Sequence, residues 1–422
     1  MNRAIAFFSL VVVASPMTHS QTTSNTAATA QTATHTVVAP QLPAPSGPFG
    51  IGRTGYDWTD NSRPDHASTD QQPLRELMVY VWYPTSQKDA AAKGAYLPAA
   101  KQMDAIPDIQ HRMQQEFESN WPLVVSGAIY SHVSDGAPVA RNPKRFPVVF
   151  FSHGSGGTSF ESTSMIEDLV SHGYVVVAIE HTHTAIAVAF SNGKIVPQDQ
   201  GPPGLTPEQR FQRMMAGAAA AISDGAADIR FVLDKLTEVD SADTQHFLLA
   251  GRLDLNSVAA IGHSVGGAFA ARACQLDKRF KACIDLDGAM VPVAALPEYP
   301  DGKTIQQPLL FLEVYHPESR MGGTHAQIEE YFKKKEEQLQ SCPAGSYDVV
   351  LKSPGIYHGS FSDYPLLAAA GNADATAIAL HNLHLTQIFV RAFLDKYLKH
   401  EKQPLFEGKE YLAEATVQPY GH

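Results

Sequence analysis

The chain has 422 residues, of which 44% are hydrophobic and 18% are charged, and these fractions are typical of a globular protein with a large core. A formal net charge of −11 repels the phosphate backbone, so the composition does not support nucleic-acid binding. The three cysteines form no CxxC pair and no Cys/His zinc spacing, so no zinc site is predicted.

The N-terminal 20 residues have the layout of a secretory signal peptide. Arg3 is their one charge, and the apolar run AIAFFSLVVVA and small polar residues follow it. The run is too short for a permanent membrane anchor, so it predicts export, either to a periplasm or out of the cell. Residues 21–46 lack charge and are rich in Thr, Ala, Gln and Pro, which predicts a flexible leader. Residues 47–422 are then expected to form a single domain.

Beyond the leader, short β-type runs alternate with helix-length segments. Most of the runs are continuously apolar, which indicates strands that are covered on both faces. This rhythm predicts an α/β protein whose mostly parallel central sheet carries helices on both faces, and the first run is expected to be an antiparallel edge strand. The predicted strands are 77–84, 146–153, 174–181, 257–264, 281–287, 308–315 and 347–353. The predicted helices are 159–173, 206–239, 266–276, 325–341 and 373–401.

Two segments interrupt this plan as insertions. Within residues 96–145, apolar side chains recur at three- and four-residue spacing, which predicts one helical face that packs on the body. A lid or membrane-surface helix remains an alternative there, although the polar face is poor in Lys and Arg. Residues 187–206 form a Pro/Gly-rich loop that either borders an active site or is a plain surface excursion. The helical face of the first insertion comprises Met103, Ile106, Ile109, Met113 and Phe117.

The cysteines are Cys274, Cys283 and Cys342, an odd number for a compartment that permits disulfides. Cys274 follows the central glycine-rich segment and Cys283 lies in the next apolar run. We expect these two to be buried free thiols, and a disulfide between them is the alternative.

Residues 262–266 read Gly-His-Ser-Val-Gly and have the form G-x-S-x-G, directly after a predicted strand and before a predicted helix. A serine in such a sharp turn adopts strained backbone angles, which are tolerated when glycines flank it. The turn exposes the hydroxyl at a helix N-terminus, where developing negative charge is favoured. The pattern therefore predicts Ser264 as a nucleophile.

A serine nucleophile needs a base and a carboxylate that orients the base. Asp287 ends a predicted strand and precedes a glycine, which suits a loop that carries the acid. Asp285 lies inside the strand and is expected to have a structural role. Glu313 and Glu318, one strand later, are the alternative acids.

His358 lies on a loop after the last predicted strand, just past a Pro-Gly turn, and is the predicted base. Position singles it out among the 18 histidines. The spacing of His153, His181 and His183 fits no standard metal site, so a metal cluster there is a weak alternative.

Acyl transfer also requires donors for the oxyanion. One is expected to be the backbone N–H of Val265, directly after the nucleophile. The other is expected from the glycine-rich loop 153–157, where the N–H of Ser155 is the best candidate.

Together these stretches resemble the plasma and type II intracellular platelet-activating factor acetylhydrolases and their bacterial relatives, serine lipases and esterases of the α/β-hydrolase fold. The matching stretches are FPVVFFSHGSGG, DLVSHGYVVVAIEH, VAAIGHSVGGA, RFKACIDLDGAM, QQPLLFLEVY and the region around His358, and they span roughly residues 75–400. The resemblance implies the triad Ser264, Asp287 and His358, with Ser155 and Val265 as oxyanion donors. It also implies no cofactor or metal, and cleavage of short or oxidised acyl chains from phospholipids.

The sequence thus predicts an exported serine ester hydrolase that acts through an acyl-enzyme on a small-molecule or lipid ester, with transient contact to a membrane or lipoprotein surface. A general carboxylesterase, lipase or polyester hydrolase without phospholipid preference is the alternative. A catalytically silent binding protein on the same scaffold is a further one.

Overall fold

The apolar runs of the sequence become the strands of one ten-stranded sheet. A computed structural model describes residues 39–66, 68, 73–86, 93–241, 247–288, 304–315 and 325–421. The strands of this sheet are β1 (Gly50–Pro64), β2 (Leu74–Thr85), β5 (Val133–Asp135), β6 (Phe146–Ser152), β7 (Val175–Glu180), β10 (Leu253–His263), β11 (Phe280–Leu286), β12 (Leu309–Val314), β13 (Ser346–Leu351) and β14 (Ala415–Tyr420). Their order across the sheet is β14-β13-β12-β11-β10-β6-β7-β2-β1-β5.

Strands β13, β12, β11, β10, β6 and β7 run parallel to one another, so their carboxyl ends lie at the same edge of the sheet. The mostly parallel sheet is thereby confirmed. The prediction that the first run forms an edge strand is wrong: β2 pairs antiparallel with β7, but β1 pairs on its other side. Residues 50–64 mix polar and apolar residues, so β1 lacks the continuous apolar run that predicts a buried strand.

Both faces of the sheet are covered by helices, as the continuous apolar strands predicted. In β6, Val149 and Phe151 pack on one face while Val148 and Phe150 pack on the other, and all four are 0% exposed. The central strands therefore lie between two hydrophobic cores. Burial of each such side chain contributes about 1.5–3 kcal/mol to the stability of the fold. The helices are α1 (Ala100–Asp104), α2 (Pro107–Phe117), α3 (Trp121–Ser126), α4 (Thr163–Ser171), α5 (Pro207–Ser241), α6 (Val265–Leu276), α7 (His325–Gln340), α8 (Tyr364–Ala368) and α9 (Ala373–Leu398).

The first insertion forms a helical unit that packs on the body. The single predicted helical face is divided between α1 and α2, because Pro107 opens α2 and the preceding Ile106 is extended, with φ −107° and ψ 110°. Met103 and Met113 are buried in the same core as β6, whereas Ile106 is half-buried. A short sheet pairs β3 (Gly94–Ala95) with β4 (Tyr130–Ser131).

The second insertion starts as a hairpin of β8 (Ala187–Ala189) and β9 (Ile195–Pro197). Its next residue, Gln198, donates from Nε2 to Oγ of Ser155 at 3.1 Å. The loop therefore lies against the glycine-rich segment after β6, which favours a border of the candidate site over a plain surface excursion.

The predicted signal peptide lies outside the described residues, as does the leader up to residue 38. The described end of the leader does not behave as a flexible segment. Leu42 is 4% exposed and belongs to the core, and Ser46 donates to the Asp168 carboxylate at 2.7 Å. The buried Leu42 and the hydrogen bond from Ser46 to α4 therefore fix residues that composition alone predicted to be part of a flexible leader.

The expectation that Cys274 and Cys283 are free thiols is also wrong. The structure joins them in a disulfide between the end of α6 and β11, with their Cα atoms 6.7 Å apart. The helix returns antiparallel over the neighbouring strand, and this packing brings the two side chains together. Cys342 is a free, buried thiol.

Among the residues that the structure describes, none of the helices combines the length and the apolarity that crossing a membrane requires.

Candidate active site

Ser264 occupies the sharp turn between β10 and α6. Its φ of 56° and ψ of −126° are strained for a residue with a side chain, as the G-x-S-x-G pattern predicted. A Cβ on Gly262 would collide with the Gly266 carbonyl, and one on Gly266 would collide with the carbonyls of Ser152 and His153. Only glycines therefore allow the turn to close so tightly against β6.

The structure brings Asp287 and His358 together. Asp287 directly follows β11, and its Oδ2 lies 2.6 Å from Nδ1 of His358. The other carboxylate oxygen accepts the N–H of Val314 at 3.1 Å, which fixes the orientation of the acid. The Asp287 side chain is 3% exposed and that of His358 is 36% exposed, so the acid is buried while the imidazole reaches the surface. Among the residues that the structure describes, Nε2 of His358 has no hydrogen-bond partner, so it can face a reacting group.

Ser264 is tied to this pair through the backbone and through its neighbour. Its N–H donates to the carbonyl of Leu286, the residue before Asp287, at 3.0 Å. The ring of His263 lies 4.7 Å from the ring of His358, and its Nε2 lies 3.1 Å from the His358 carbonyl oxygen. Within the described part of the chain, Ser264 Oγ makes no hydrogen bond, and such bonds often tighten only when substrate is bound.

The glycine-rich loop after β6 leaves one backbone donor open. The N–H of Gly154 donates to Glu161 Oε1 at 3.3 Å, that of Gly156 to the Thr184 carbonyl at 2.9 Å, and that of Gly157 back to the Gly154 carbonyl at 3.1 Å. Among the described residues, no acceptor lies opposite the N–H of Ser155. Val265 is the first residue of α6, so its N–H has no acceptor inside the helix. Both N–H groups are therefore available for the role of oxyanion donor, which stays a prediction.

His153 orients the Ser155 donor. Its Nδ1 lies 2.7 Å from the Gly154 carbonyl oxygen, and its Nε2 accepts the N–H of His181 at 3.1 Å. In a trans peptide the carbonyl and the following N–H point in opposite directions, so the bond to Gly154 aims the Ser155 N–H away from His153. Burial and the neighbouring His181 lower the pKa of His153 to about 4, so the ring is neutral near pH 7.

A second serine, histidine and aspartate meet below this loop. His181 Nε2 lies 2.9 Å from Ser152 Oγ, and its Nδ1 lies 3.0 Å from Asp228 Oδ2. Arg75 donates two hydrogen bonds to the same carboxylate, at 2.6 and 3.1 Å. Although burial opposes it, Arg75 and His181 hold the pKa of Asp228 far below its usual range. These side chains are 0–7% exposed, so no substrate reaches them and the group supports the loop from beneath.

The alternative carboxylates have other partners. Asp285 accepts the N–H of Gly288 at 2.7 Å beneath the start of α6, and burial raises its pKa well above the usual range. Glu313 pairs with Lys335 at 2.5 Å, and burial raises the pKa of Glu313 to about 7. Glu318 lies outside the described residues. The contact to His358 thus favours Asp287.

The three histidines of the alternative metal site form hydrogen bonds with different partners. His153 and His181 lie in the buried network, and His183 Nε2 lies 2.9 Å from Asp65 Oδ2. Over the described ranges, no group of three or more His, Cys, Asp or Glu side chains has a metal-binding arrangement.

Glu161 and His263 have roles at the site that the sequence did not predict. Glu161 Oε1 accepts from Gly154 and lies 3.4 Å from Nδ1 of His263, so it joins the glycine-rich loop to the histidine beside His358. Glu161 is 3% exposed. Glu161 lies near the start of a predicted helix, and no motif in the neighbouring sequence predicts its contact with the site.

A family profile and several curated proteins match this chain. The profile of the family described as platelet-activating factor acetylhydrolase, isoform II, matches residues 35–400. A platelet-activating factor acetylhydrolase from Cavia porcellus is 26% identical over 287 residues, which are 62% of this chain and 60% of the relative. A probable 1-alkyl-2-acetylglycerophosphocholine esterase from Arthroderma benhamiae is 27% identical over 343 residues, 78% of each chain.

A ferulic acid esterase from Streptomyces cinnamoneus has a similar structure, with a TM-score of 0.66 and 24% identity over 90% of this chain and 99% of that one. Together with the parallel sheet, this likeness establishes the α/β-hydrolase fold. Because the family profile covers most of the sequence, the chain belongs to the platelet-activating factor acetylhydrolase, isoform II, family.

Proposed function

We propose that this protein is an exported serine ester hydrolase that acts through an acyl-enzyme, with Ser264 as nucleophile, His358 as base and Asp287 as the carboxylate that orients the base. The observation that carries the proposal is the 2.6 Å bond between Asp287 and His358 beside a serine in a strained strand-to-helix turn. Family membership supports the same chemistry, since the curated relatives are named as acetylhydrolases and esterases.

The proposed reaction follows from the hydrogen bonds of the site. Because Asp287 holds Nδ1 of His358, Nε2 accepts the proton when Ser264 Oγ attacks the ester carbonyl carbon. The carbonyl oxygen becomes an oxyanion, which the N–H groups of Ser155 and Val265 stabilise. His358 then donates its proton to the leaving alcohol oxygen. Water, deprotonated by the same imidazole, attacks the acyl-enzyme and releases the acid together with free Ser264.

For the substrate we propose a short acyl ester of a glycerophospholipid. The names of the curated relatives support this choice. The matched segments cover only 60% and 65% of two relatives, so their activity reaches this chain as a proposal. A general carboxylesterase or polyester hydrolase uses the same machinery and differs only in what surrounds the acyl and alcohol groups.

Export is proposed from two independent features. The N-terminal run of residues 4–14 has the length of a signal-peptide core, and the disulfide between Cys274 and Cys283 is typical of proteins from oxidising compartments. A fusion of residues 1–46 to a reporter enzyme should be exported and cleaved. Retention of the uncleaved fusion in the cytoplasm would contradict this part.

The catalytic proposal is tested by Ser264→Ala. The change should lower kcat on a short-chain p-nitrophenyl ester by about 10⁴-fold or more, because it removes the hydroxyl that forms the proposed acyl-enzyme. A fluorophosphonate probe should label the wild-type protein on the peptide that contains Ser264 and should not label the variant.

Ser126→Ala is the matched control, because this exposed serine lies on α3 and donates its hydroxyl to the Leu123 carbonyl of the same helix at 3.2 Å. It should keep wild-type activity and labelling. Near-wild-type activity of a correctly folded Ser264→Ala variant would refute the mechanism. Activity on p-nitrophenyl esters without activity on 1-alkyl-2-acetylglycerophosphocholine would favour the general esterase.

A further inference from the structure

Helix α2 of the first insertion lies beside the candidate active site and contacts elements that adjoin both of its loops. At its C-terminal end, the ring of Phe117 packs 5.2 Å from that of Tyr364, and Asn120 donates to the Leu367 carbonyl at 3.1 Å. Both partners belong to α8, which follows the loop of His358. One helix turn earlier, Arg112 reaches the segments that hold the glycine-rich loop.

Arg112 lies one side chain away from the proposed oxyanion donor. Its Nη1 donates to the Ile186 carbonyl at 3.2 Å, and its Nη2 donates to Gln198 Oε1 at 2.5 Å. The amide nitrogen of the same Gln198 donates to Ser155 Oγ at 3.1 Å. Ile186 is itself bound to the glycine-rich loop, since its N–H donates to the Gly157 carbonyl at 3.0 Å. The guanidinium is thus held in a fixed place beside the site.

Among the described residues, no carboxylate forms a direct ion pair with this cation. Within the described part of the chain, Arg112 forms no ion pair within 4.0 Å, whereas Arg213 and His183 pair with Asp199 and Asp65 at 2.8 and 2.9 Å. Arg112 is half-buried, and burial lowers its pKa even though Glu116, one turn along α2, acts in the opposite direction. A guanidinium stays protonated under all ordinary conditions, so this position carries a positive charge that no direct ion pair neutralises.

The geometry leaves hydrogen-bonding capacity for a ligand. A guanidinium has five N–H donors in a planar fork, and the two neutral acceptors on Arg112 use only part of them. Such a fork binds the oxygens of a phosphate or a carboxylate in a bidentate manner. In a chain with a net charge of −11, a half-buried cation next to the site attracts an anionic group.

We propose that Arg112 binds an anionic group of the ester substrate, a phosphodiester or a carboxylate that lies a few bonds from the scissile carbonyl. This inference rests on the proposed function, because it assigns the charge of the substrate for the same site. Gln198 fixes the distance between the anionic group and the oxyanion donors by linking Arg112 to Ser155. Arg112 is therefore a specificity-determining residue rather than part of the acyl-transfer chemistry.

The test compares two pairs of esters, and in each pair only one member carries an anionic group. The first pair is 1-alkyl-2-acetylglycerophosphocholine and the uncharged 1-alkyl-2-acetylglycerol, where the phosphodiester lies on the alcohol side. The second is p-nitrophenyl hydrogen succinate and p-nitrophenyl butyrate, where the carboxylate lies on the acyl side. The quantity measured is the ratio of kcat/KM for the charged ester to that for the uncharged one.

Arg112→Gln should lower this ratio about tenfold in one of the two pairs, and the pair that responds identifies the anionic group. The loss should arise in KM, because an anion that is distant from the reacting carbon contributes equally in the ground and transition states. Arg112→Lys, which keeps the charge but not the fork, should retain part of the ratio. In the wild type, the ratio should fall as salt is added.

Lys101→Gln is the matched control, since it removes an exposed positive charge from α1 of the same insertion. It should leave both ratios at the wild-type value. The inference is overturned if Arg112→Gln, folded by circular dichroism and active on the uncharged esters, changes both ratios by less than about twofold. If the wild type hydrolyses none of the four esters, the proposed function fails first and this inference fails with it.

Discussion

His153 provides a quantitative test of the network beneath the glycine-rich loop. Its ring is 0% exposed between the Gly154 carbonyl and the His181 N–H. Burial first, and then repulsion from His181, lower its pKa to about 4, against about 6.5 in an unfolded chain. Between these two values the unfolded chain binds a proton that the folded protein excludes, so the free energy of unfolding falls as the pH decreases from 6.5 toward 4.

The size of this effect follows from the shift. One pKa unit corresponds to about 1.4 kcal/mol, so lowering the pH from 7.5 to 5 should cost the folded state about 2 kcal/mol through His153 alone. His153→Asn removes the titrating group but keeps an amide that can donate to the Gly154 carbonyl. The difference in the free energy of unfolding between wild type and variant should therefore change by about 2 kcal/mol over this range.

Urea unfolding curves at several pH values measure this difference. Burial raises the pKa of Glu180 and of Asp363 to about 7, so these two groups stabilise the folded state as the pH falls. Both are present in wild type and variant, so their contributions cancel in the difference between the two proteins. Ser152→Ala is the matched control, because it alters the same network without removing a titrating group, and it should keep the wild-type slope. Parallel profiles for wild type and His153→Asn would refute the reasoning.

Other predictions concern the acid and the cysteines. Asp287→Asn should lower kcat about 10³–10⁴-fold, while Glu313→Gln should stay within about tenfold of wild type; a larger loss for Glu313→Gln would reassign the acid. Replacing both Cys274 and Cys283 by Ala should lower the free energy of unfolding by about 2–3 kcal/mol, the chain-entropy value for a short closed loop, as measured by urea unfolding. In a thiol titration, Cys342 should react only after unfolding, because it is buried and burial raises its pKa to about 12. A second reactive thiol in the unfolded, unreduced protein would contradict the disulfide.

Local sequence was sufficient where a residue's role is carried by its immediate neighbours. The turn at Ser264 is specified by Gly262 and Gly266, because their missing side chains alone permit the close contact with β6. The order of apolar runs predicted the parallel sheet, and a parallel sheet places the ends of its strands at one edge. Asp287 and His358 could therefore be chosen by their position after two of those strands.

The remaining features depend on contacts between segments that are distant in the chain. Glu161 meets His263 from 102 positions away, and Arg112 meets Gln198 from 86 positions away, so no local pattern marks either pair. The same holds for Cys274 and Cys283: whether two thiols form a disulfide depends on how α6 crosses β11, which nothing within either segment specifies.

The amino-acid sequence alone determined the class of fold, the strained serine turn and the candidates for acid and base, because strand burial and glycine turns follow from local sterics and hydrophobicity. Only the tertiary structure decided which carboxylate pairs with His358, which backbone N–H of the glycine-rich loop is left open, and where the unpaired charge of Arg112 lies. Hydrogen bonds and ion pairs depend on distances of a few ångströms between remote side chains, and folding fixes those distances through the packing of the whole chain.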